Sequence, residues 1–588
     1  MPSMHTHRRL TLVAAALAIP ALALPALPAL ASAQQAQEPA VQIVPQPATT
    51  LPLKHTAQPT TANITAADLM TRLYIFADDS MQGREAGTIG NVKGTDYIAS
   101  QAKAIGLVPA GDNGTYFQTI PLKVRTVDST STLTAGTTTL KYGSDWVVST
   151  THAVTGTDVP VIFGGEFSDS TSALGDSAGA GKIVLFYVAP GTQPRASTHA
   201  RNIAKGAVAV AIVGIDQFMP FFNRPQEFLD DPALMGPNAA KAPATIIVSS
   251  AVASHLGDLA TMTPGASLGT ATVNVKMTVT PSAYPARNVV GILPGSDPKL
   301  KGEYVAIGAH NDHIGIQKTA VDHDSLRIFN HIVRPGGAEQ QGKRATPAEQ
   351  AEVNQQLAAW RAAHPNSQRA DSISNGADDD GSGSVSVLEI AQKMASLKPA
   401  PKRSILFVWH VGEEKGLFGS AYFTEHPTVP RDSIVAQLNM DMVGRGDAWD
   451  VTGETKEGAP LHGSTNYLQL VGSRRLSTEL GNLIEQVNKD DHHGMTLDYS
   501  MDANGHPMNI YCRSDHYEYA RWNIPVTFFT TGGHSDYHQV TDEPEYIDYA
   551  HMAKVDNFVE DVAVHVANMD HRPVVDGAKM DPHGSCKQ

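Results

Sequence analysis

Residues 376–414 read GADDDGSGSVSVLEIAQKMASLKPAPKRSILFVWHVGEE. An acidic, Gly-flanked loop (Gly376–Gly383) opens the stretch. Leu388, Ala391, Met394 and Leu397 then recur at helical spacing over 384–397. Two prolines, Pro399 and Pro401, break the pattern, and an apolar run over 405–411 ends on Gly412-Glu413-Glu414. Loop, helix, turn, buried strand and acidic loop in succession are the unit of an α/β fold, in which helices cover a sheet and polar groups gather where strands end.

Working outward, the same texture holds on both sides. Strand-like apolar runs occupy 289–293, 304–308, 435–438 and 525–530. Helical periodicity begins at Thr65 and marks 91–105 and 555–569. The expected fold is therefore α/β, with a mixed, mostly parallel central sheet flanked by helices. Two segments interrupt it. Between 127 and 282 Thr, Ser, Gly and Val dominate, and β-branched runs at 159–163, 182–188, 208–213, 245–248 and 272–279 predict a β-rich insertion. Residues 317–372 predict a surface excursion or lid; within it Thr346-Pro347-Ala348-Glu349 has the form of a capping box ahead of a polar helix.

Five short segments carry hard ligands, four of them after strand-like runs. They are Gly308-Ala309-His310-Asn311-Asp312-His313, the loop 376–383, Gly412–Gly416, Asn439-Met440-Asp441-Met442, and Gly533-His534-Ser535-Asp536-Tyr537-His538. Imidazole and carboxylate donors without thiolate suit zinc, with manganese or cobalt as substitutes. Two adjacent cations would offset the cost of burying Asp378–Asp380. Adjacent Glu413 and Glu414 could divide metal binding from proton transfer. Other readings stand beside this one. Counted from Asp378, residues Asp380, Ser382, Gly383 and Glu389 fall at calcium-loop positions, but no helix leads in. His534 and His538 have the i, i+4 spacing of helical zinc peptidases, yet Ser535 stands where that motif needs Glu. Gly175-Asp176-Ser177-Ala178-Gly179 has the form of a nucleophile elbow, but its strand-like run, 182–188, follows instead of preceding.

The ordered set of motifs resembles the co-catalytic di-zinc peptidases that include bacterial leucyl aminopeptidases, carboxypeptidase Q and glutamate carboxypeptidase II. The resemblance is loose over 60–130 and close over 285–570, and the β-rich insertion resembles a protease-associated domain. It implies two Zn²⁺ ions per chain. His310 and Asp441 would bind one, Glu414 and His538 the other, and Asp379 would bridge them. It further implies Glu413 as general base for the attacking water, Asp312 orienting His310, Tyr537 assisting the oxyanion, and a non-proline cis bond between Asp379 and Asp380. The function implied is a zinc-dependent exopeptidase, foremost an aminopeptidase acting on peptides. A dipeptidase or glutamate-carboxypeptidase-like enzyme is the alternative, with Arg513 and Arg521 as candidate carboxylate binders, and a non-catalytic receptor-like protein is the alternative of another class. Residues 317–372 lengthen the interval between His310 and Asp379 and bear on substrate access.

The 588-residue chain carries a formal charge of -15, which disfavours nucleic acid and anionic membranes as partners. Arg8 and Arg9, the apolar run 10–30 and Ala31-Ser32-Ala33 form a cleavable export leader over 1–33, pointing to a periplasmic or secreted protein without a membrane anchor. The expected organisation is leader 1–33, flexible linker 34–60, peptidase domain 61–126 and 283–572, inserted domain 127–282, and tail 573–588. Cys512 and Cys586 are the only cysteines, too few for a disulfide scaffold or a thiolate zinc site; their pairing is left open.

Overall fold

The structure, a computed structural model, describes residues 51–171, 173–190, 196–235, 242–365 and 369–588. The leader 1–33 and the linker up to residue 50 lie outside the described residues. A nine-stranded sheet forms the centre. Its order is Val108–Pro109, Ala286–Leu293, Ser404–His410, Tyr304–His310, Ile434–Met440, Val526–Thr530, Tyr467–Val471, Thr496–Asp498, with Phe117–Ile120 pairing off this path with Ala286–Leu293. The four strands in the middle run parallel. Antiparallel partners flank them on either side.

Strand alternation sorts side chains to the two faces. Val305, Ile307, Ala309, Ile405, Phe407 and Trp409 point into one core, against the helices Ala66–Phe76, Ile89–Ile105, Gly383–Ser396, Thr478–Asp490 and Tyr549–Asn568. Ala306, Leu406 and Val408 point into the other, against the helices Phe418–Glu425 and His516–Ala520. Both faces are covered, which is why these strands read as continuous apolar runs. Each fully buried Leu, Val or Phe contributes about 1.5–3 kcal/mol to holding the layers together.

The β-rich region forms a second, eight-stranded sheet over its own core, which includes Trp146, Val148, Phe163, Leu185, Ala211 and Ile246. A three-stranded sheet joins Leu122–Val127, Gln226–Leu229 and Met277–Pro281. Ser177 is exposed in turns, with no strand entering it, so the nucleophile elbow is absent.

The excursion is built from a hairpin, Gly315–Asp322 with Ala370–Ser374, and two helices, His323–Val333 and Pro347–Ala363. Thr346 and Glu349 make both hydrogen bonds of the capping box. Residues 51–60 lie along the helical layer: Tyr74 donates to Pro52 O, His55 meets Thr71, and Thr60 donates to Gln392. Cys512 and Cys586 form a disulfide across 74 residues. Beside it Gln588 accepts from Tyr511 N and donates to Met501 O at 2.6 Å. Among the described residues no helix is long and apolar enough to cross a membrane.

Candidate metal centre

The parallel strands end in register, and that register gathers the site. His310 closes its strand beside His410. Glu413 and Glu414 follow the strand ending at His410, Asp441 follows the one ending at Met440, and His538 comes eight residues after Thr530. Asp379 arrives from the loop before the helix Gly383–Ser396.

Five of these side chains, His310, Asp379, Glu414, Asp441 and His538, meet. His310 Nε2 lies 3.1 Å from Asp379 Oδ1 and 3.7 Å from Asp441 Oδ1. His538 Nε2 lies 3.0 Å from Asp379 Oδ2 and 3.0 Å from Glu414 Oε2. Asp379 therefore touches both halves of the cluster, one oxygen to each. Donor atoms of His310, Asp379 and Asp441 fall within 4.8 Å of one another, and so do those of His313, Asp379 and Glu414.

The neighbouring acids have other work. Asp380 accepts from the backbone N–H groups of His310, Gly383 and Met442. Asp378 accepts from Gly444 N and faces His534 Nε2 at 3.2 Å. Both flanking aspartates thus bind strand ends together, and Glu389 pairs with buried Arg72; a calcium loop and a helical zinc motif are both excluded by these contacts. Asp542 accepts from the backbone N–H groups of Asp378 and Asp379 at 3.0 Å and fixes the turn from which Asp379 projects. The Asp379–Asp380 peptide is cis. Gly376, at φ +54°, must be glycine: a Cβ there would lie 2.2 Å from Asp379 O.

Asp312 contacts His310 through its backbone carbonyl, 3.1 Å from Nδ1, while its carboxylate stands 3.7 Å away. That carboxylate accepts from Gly412 N and Glu413 N at 2.7 and 3.2 Å, so Asp312 also aims the Glu413 backbone. Tyr537 stacks on His538 at 4.1 Å, and Arg513 reaches its hydroxyl at 3.4 Å. The partnerships of three residues escape a reading of the sequence. Fully buried His313 places Nδ1 2.6 Å from Glu414 Oε1; its position three residues after His310 was the available signal. Ser514 donates to Asp441 Oδ2 at 2.7 Å, and Asp542 is described above.

The side chains of Asp379, Glu414 and Asp441 are at most 10% exposed. Burying so many carboxylates together costs several kcal/mol per ion unless positive charge accompanies them. The titration behaviour expresses that deficit. Burial pushes Glu413 well above the ordinary carboxylate range, reinforced by Asp441, Glu414 and Asp515. The carboxylates of Glu414 and Asp379 outweigh burial and hold the His538 imidazole up at about 11. A donor set of two imidazoles and three carboxylates with a surplus of negative charge fits divalent cations of the zinc class.

The cluster opens into a cavity of about 250 Å³, whose walls include Met501, Met508, Ile510 and Phe528. Gly336, Glu339 and Gln340 of the excursion supply one rim. Gly337, at φ +56°, presses on the loop 533–538 so closely that a Cβ would lie 2.8 Å from His534 O and Tyr537 O. Arg327 adds an ion pair with Asp536 at 3.6 Å. The excursion is thus a packed wall of the site along this edge.

Residues 355–563 match the family described as Peptidase family M28. Leupeptin-inactivating enzyme 1 of Streptomyces exfoliatus is 36% identical over 96 residues, 15% of this chain and 22% of that protein. Leucine aminopeptidase 1 of Paracoccidioides brasiliensis is 30% identical over 186 residues, 30% of this chain and 43% of that one. The chain spans about a fifth of the length of the first curated relatives it matches. Among solved structures, an aminopeptidase from Aneurinibacillus sp. strain AM-1 aligns over 88% of this chain and 97% of its own, with 18% identity and a TM-score of 0.48. The ordered motifs and the half-parallel sheet accompany this match: residues 355–563 are similar to Peptidase family M28.

Proposed function

We propose that this chain is a zinc-dependent aminopeptidase holding two ions, one by His310 and Asp441, the other by Glu414 and His538, with Asp379 between them. The observation that carries this reading is the placement of Asp379, whose two oxygens face imidazoles from opposite halves of the cluster at 3.1 and 3.0 Å. When bound, such ions act as Lewis acids toward a carbonyl and make water a usable nucleophile at neutral pH.

The chain's own residues do the rest. Glu413 lines the cavity together with Asp379 and Asp441. Its carboxylate takes a proton from the attacking water and delivers it to the nitrogen of the leaving amine. Asp312 keeps Glu413 aimed through two backbone hydrogen bonds. His313 holds Glu414 in place, Ser514 holds Asp441, and the Tyr537 hydroxyl assists the developing oxyanion. The apolar walls receive the side chain of the residue being released.

An aminopeptidase is favoured over a carboxypeptidase by what the arginines already do. Arg513 is paired with Glu339, and Arg521 with Glu518 and Glu425, so neither offers a free guanidinium to a substrate carboxylate. Residues 127–282 are read as a protease-associated domain within the peptidase domain, and 1–33 as an export leader. The Cys512–Cys586 disulfide supports an oxidising compartment.

The test is a panel of aminoacyl and N-blocked p-nitroanilides with and without a chelator. Release from free-amine substrates with apolar side chains, lost with chelator and restored by zinc, is expected. Equal cleavage of N-blocked substrates, or activity indifferent to chelator, would overturn the proposal.

A further inference from the structure

Away from the centre, at the carboxyl end of the helix Thr478–Asp490, Asp491 and His493 face two residues one turn apart on the helix Tyr549–Asn568, Asp561 and His565. His565 Nε2 lies 2.9 Å from Asp491 Oδ2, and His493 Nε2 lies 2.9 Å from Asp561 Oδ2. Donor atoms of Asp491, His493 and Asp561 all fall within 4.8 Å of one another.

Distance alone would make the His493–Asp561 contact a hydrogen bond. Its direction does not: His493 Nε2 is sealed from solvent and has no hydrogen-bond partner, although Asp561 is at 2.9 Å. The ring is held in that pose against Phe558, 5.2 Å between centroids. His565 is hydrogen-bonded to Asp491, but His493 Nε2 and the carboxylates of Asp491 and Asp561 crowd around one point without His493 being aimed at Asp561, as ligands do around an ion. No Lys or Arg pairs with Asp491 or Asp561 among the described residues. A comparable cluster of His323, Asp371 and Glu543 lacks this character, because Arg369 lies against His323 and Glu545 and supplies the positive charge itself.

We propose that Asp491, His493 and Asp561, with His565 holding Asp491 by a hydrogen bond, form a separate binding site for a divalent transition ion of the zinc class. One imidazole and two carboxylates without thiolate, with water in the fourth position, make a set that zinc accepts. Asp491, Asp561 and His565 are each between 36 and 49% exposed, so the ion exchanges with solvent. Bound there, it fastens the turn after one helix to the long helix beneath the sheet. That turn leads directly into the edge strand Thr496–Asp498, and the expected consequence is zinc-dependent thermal stability.

The test counts zinc by mass spectrometry after equilibrium dialysis at micromolar zinc. It compares the whole chain with D561N/H565A and with H310A/H538A, following thermal unfolding in parallel. D561N/H565A is expected to hold one zinc fewer, to lose the zinc-dependent rise in Tm, and to keep peptidase activity within twofold. The single variant H493N carries the same expectation by a change on the opposite element. H310A/H538A is expected to retain the ion at this site. Equal zinc content in the whole chain, D561N/H565A and H493N would overturn the inference. Undiminished zinc in H310A/H538A would instead count against the catalytic reading and leave this one standing.

Discussion

His538 Nε2 is equidistant, at 3.0 Å, from a carboxylate oxygen of Asp379 and one of Glu414. Asp379 comes from the loop before the helix Gly383–Ser396 and Glu414 from the loop after the strand Ser404–His410, and the imidazole links them. Its side chain is 26% exposed, so the fold does not depend on it. His538→Ala is therefore expected to keep the unfolding midpoint within a few degrees while metal affinity falls at least 100-fold, beyond the range seen when only a supporting partner is removed. Chelator competition measures the affinity. Unchanged affinity would place the second ion on His313.

In the proposed mechanism Glu413 carries the proton, and it belongs to neither donor group around Asp379. Glu413→Gln is expected to retain both ions and lose about 10²–10⁴ in kcat with little change in KM. Metal content and steady-state kinetics on the same preparation check both halves. Turnover near the parent's would remove Glu413 from the mechanism.

Ser514 acts on Asp441 through one hydrogen bond of 2.7 Å, itself receiving a bond from Asn439 at 2.9 Å. Ser514→Ala is expected to weaken metal binding about tenfold, and Ser514→Thr, which keeps the hydroxyl, to restore most of it. A loss equal in both variants would point to packing instead.

His516 supplies a pH dependence unrelated to the metals. Burial holds its imidazole down at about 3, against an ordinary 6.5, and it stacks on Phe528 at 4.9 Å. The unfolded chain takes up this proton below 6.5 while the folded one does not until about 3. Stability is thus intact above 6.5 and drains away as pH falls through that window, by ~5 kcal/mol at most. His516→Phe is expected to flatten this acid limb in denaturant titrations run between pH 7 and 4. An acid limb as steep as the parent's would assign the loss to other groups.

Much of this was legible in the sequence because four of the five proposed ligands end or follow strands of the central sheet, and parallel strands that end in register bring their successors together. The runs at 289–293, 304–308, 405–411, 435–438 and 525–530 all lie in the central sheet. Tyr467–Val471 and Thr496–Asp498 were not read, being short strands at one side of the sheet with polar neighbours. The partners that aim the ligands were hidden for a different reason. Ser514 and Asp542 reach the site from 73 and 163 residues away, respectively, and only packing decides such meetings. Asp312 was read as His310's partner, yet half of its role runs through a backbone carbonyl, which side-chain identity cannot encode.

The disulfide gives the cavity an unusual dependence. Cys512 sits between Ile510 and Arg513, both on the cavity wall, and Cys586 ties that stretch to residues whose last side chain, Gln588, bonds to Tyr511 and Met501. Protein made in a reducing cytosol would keep its cations, since no thiolate holds them, but would lose the brace behind its apolar wall. Such material should bind substrate poorly and still turn it over once bound, so the host used for production would masquerade as a change in specificity.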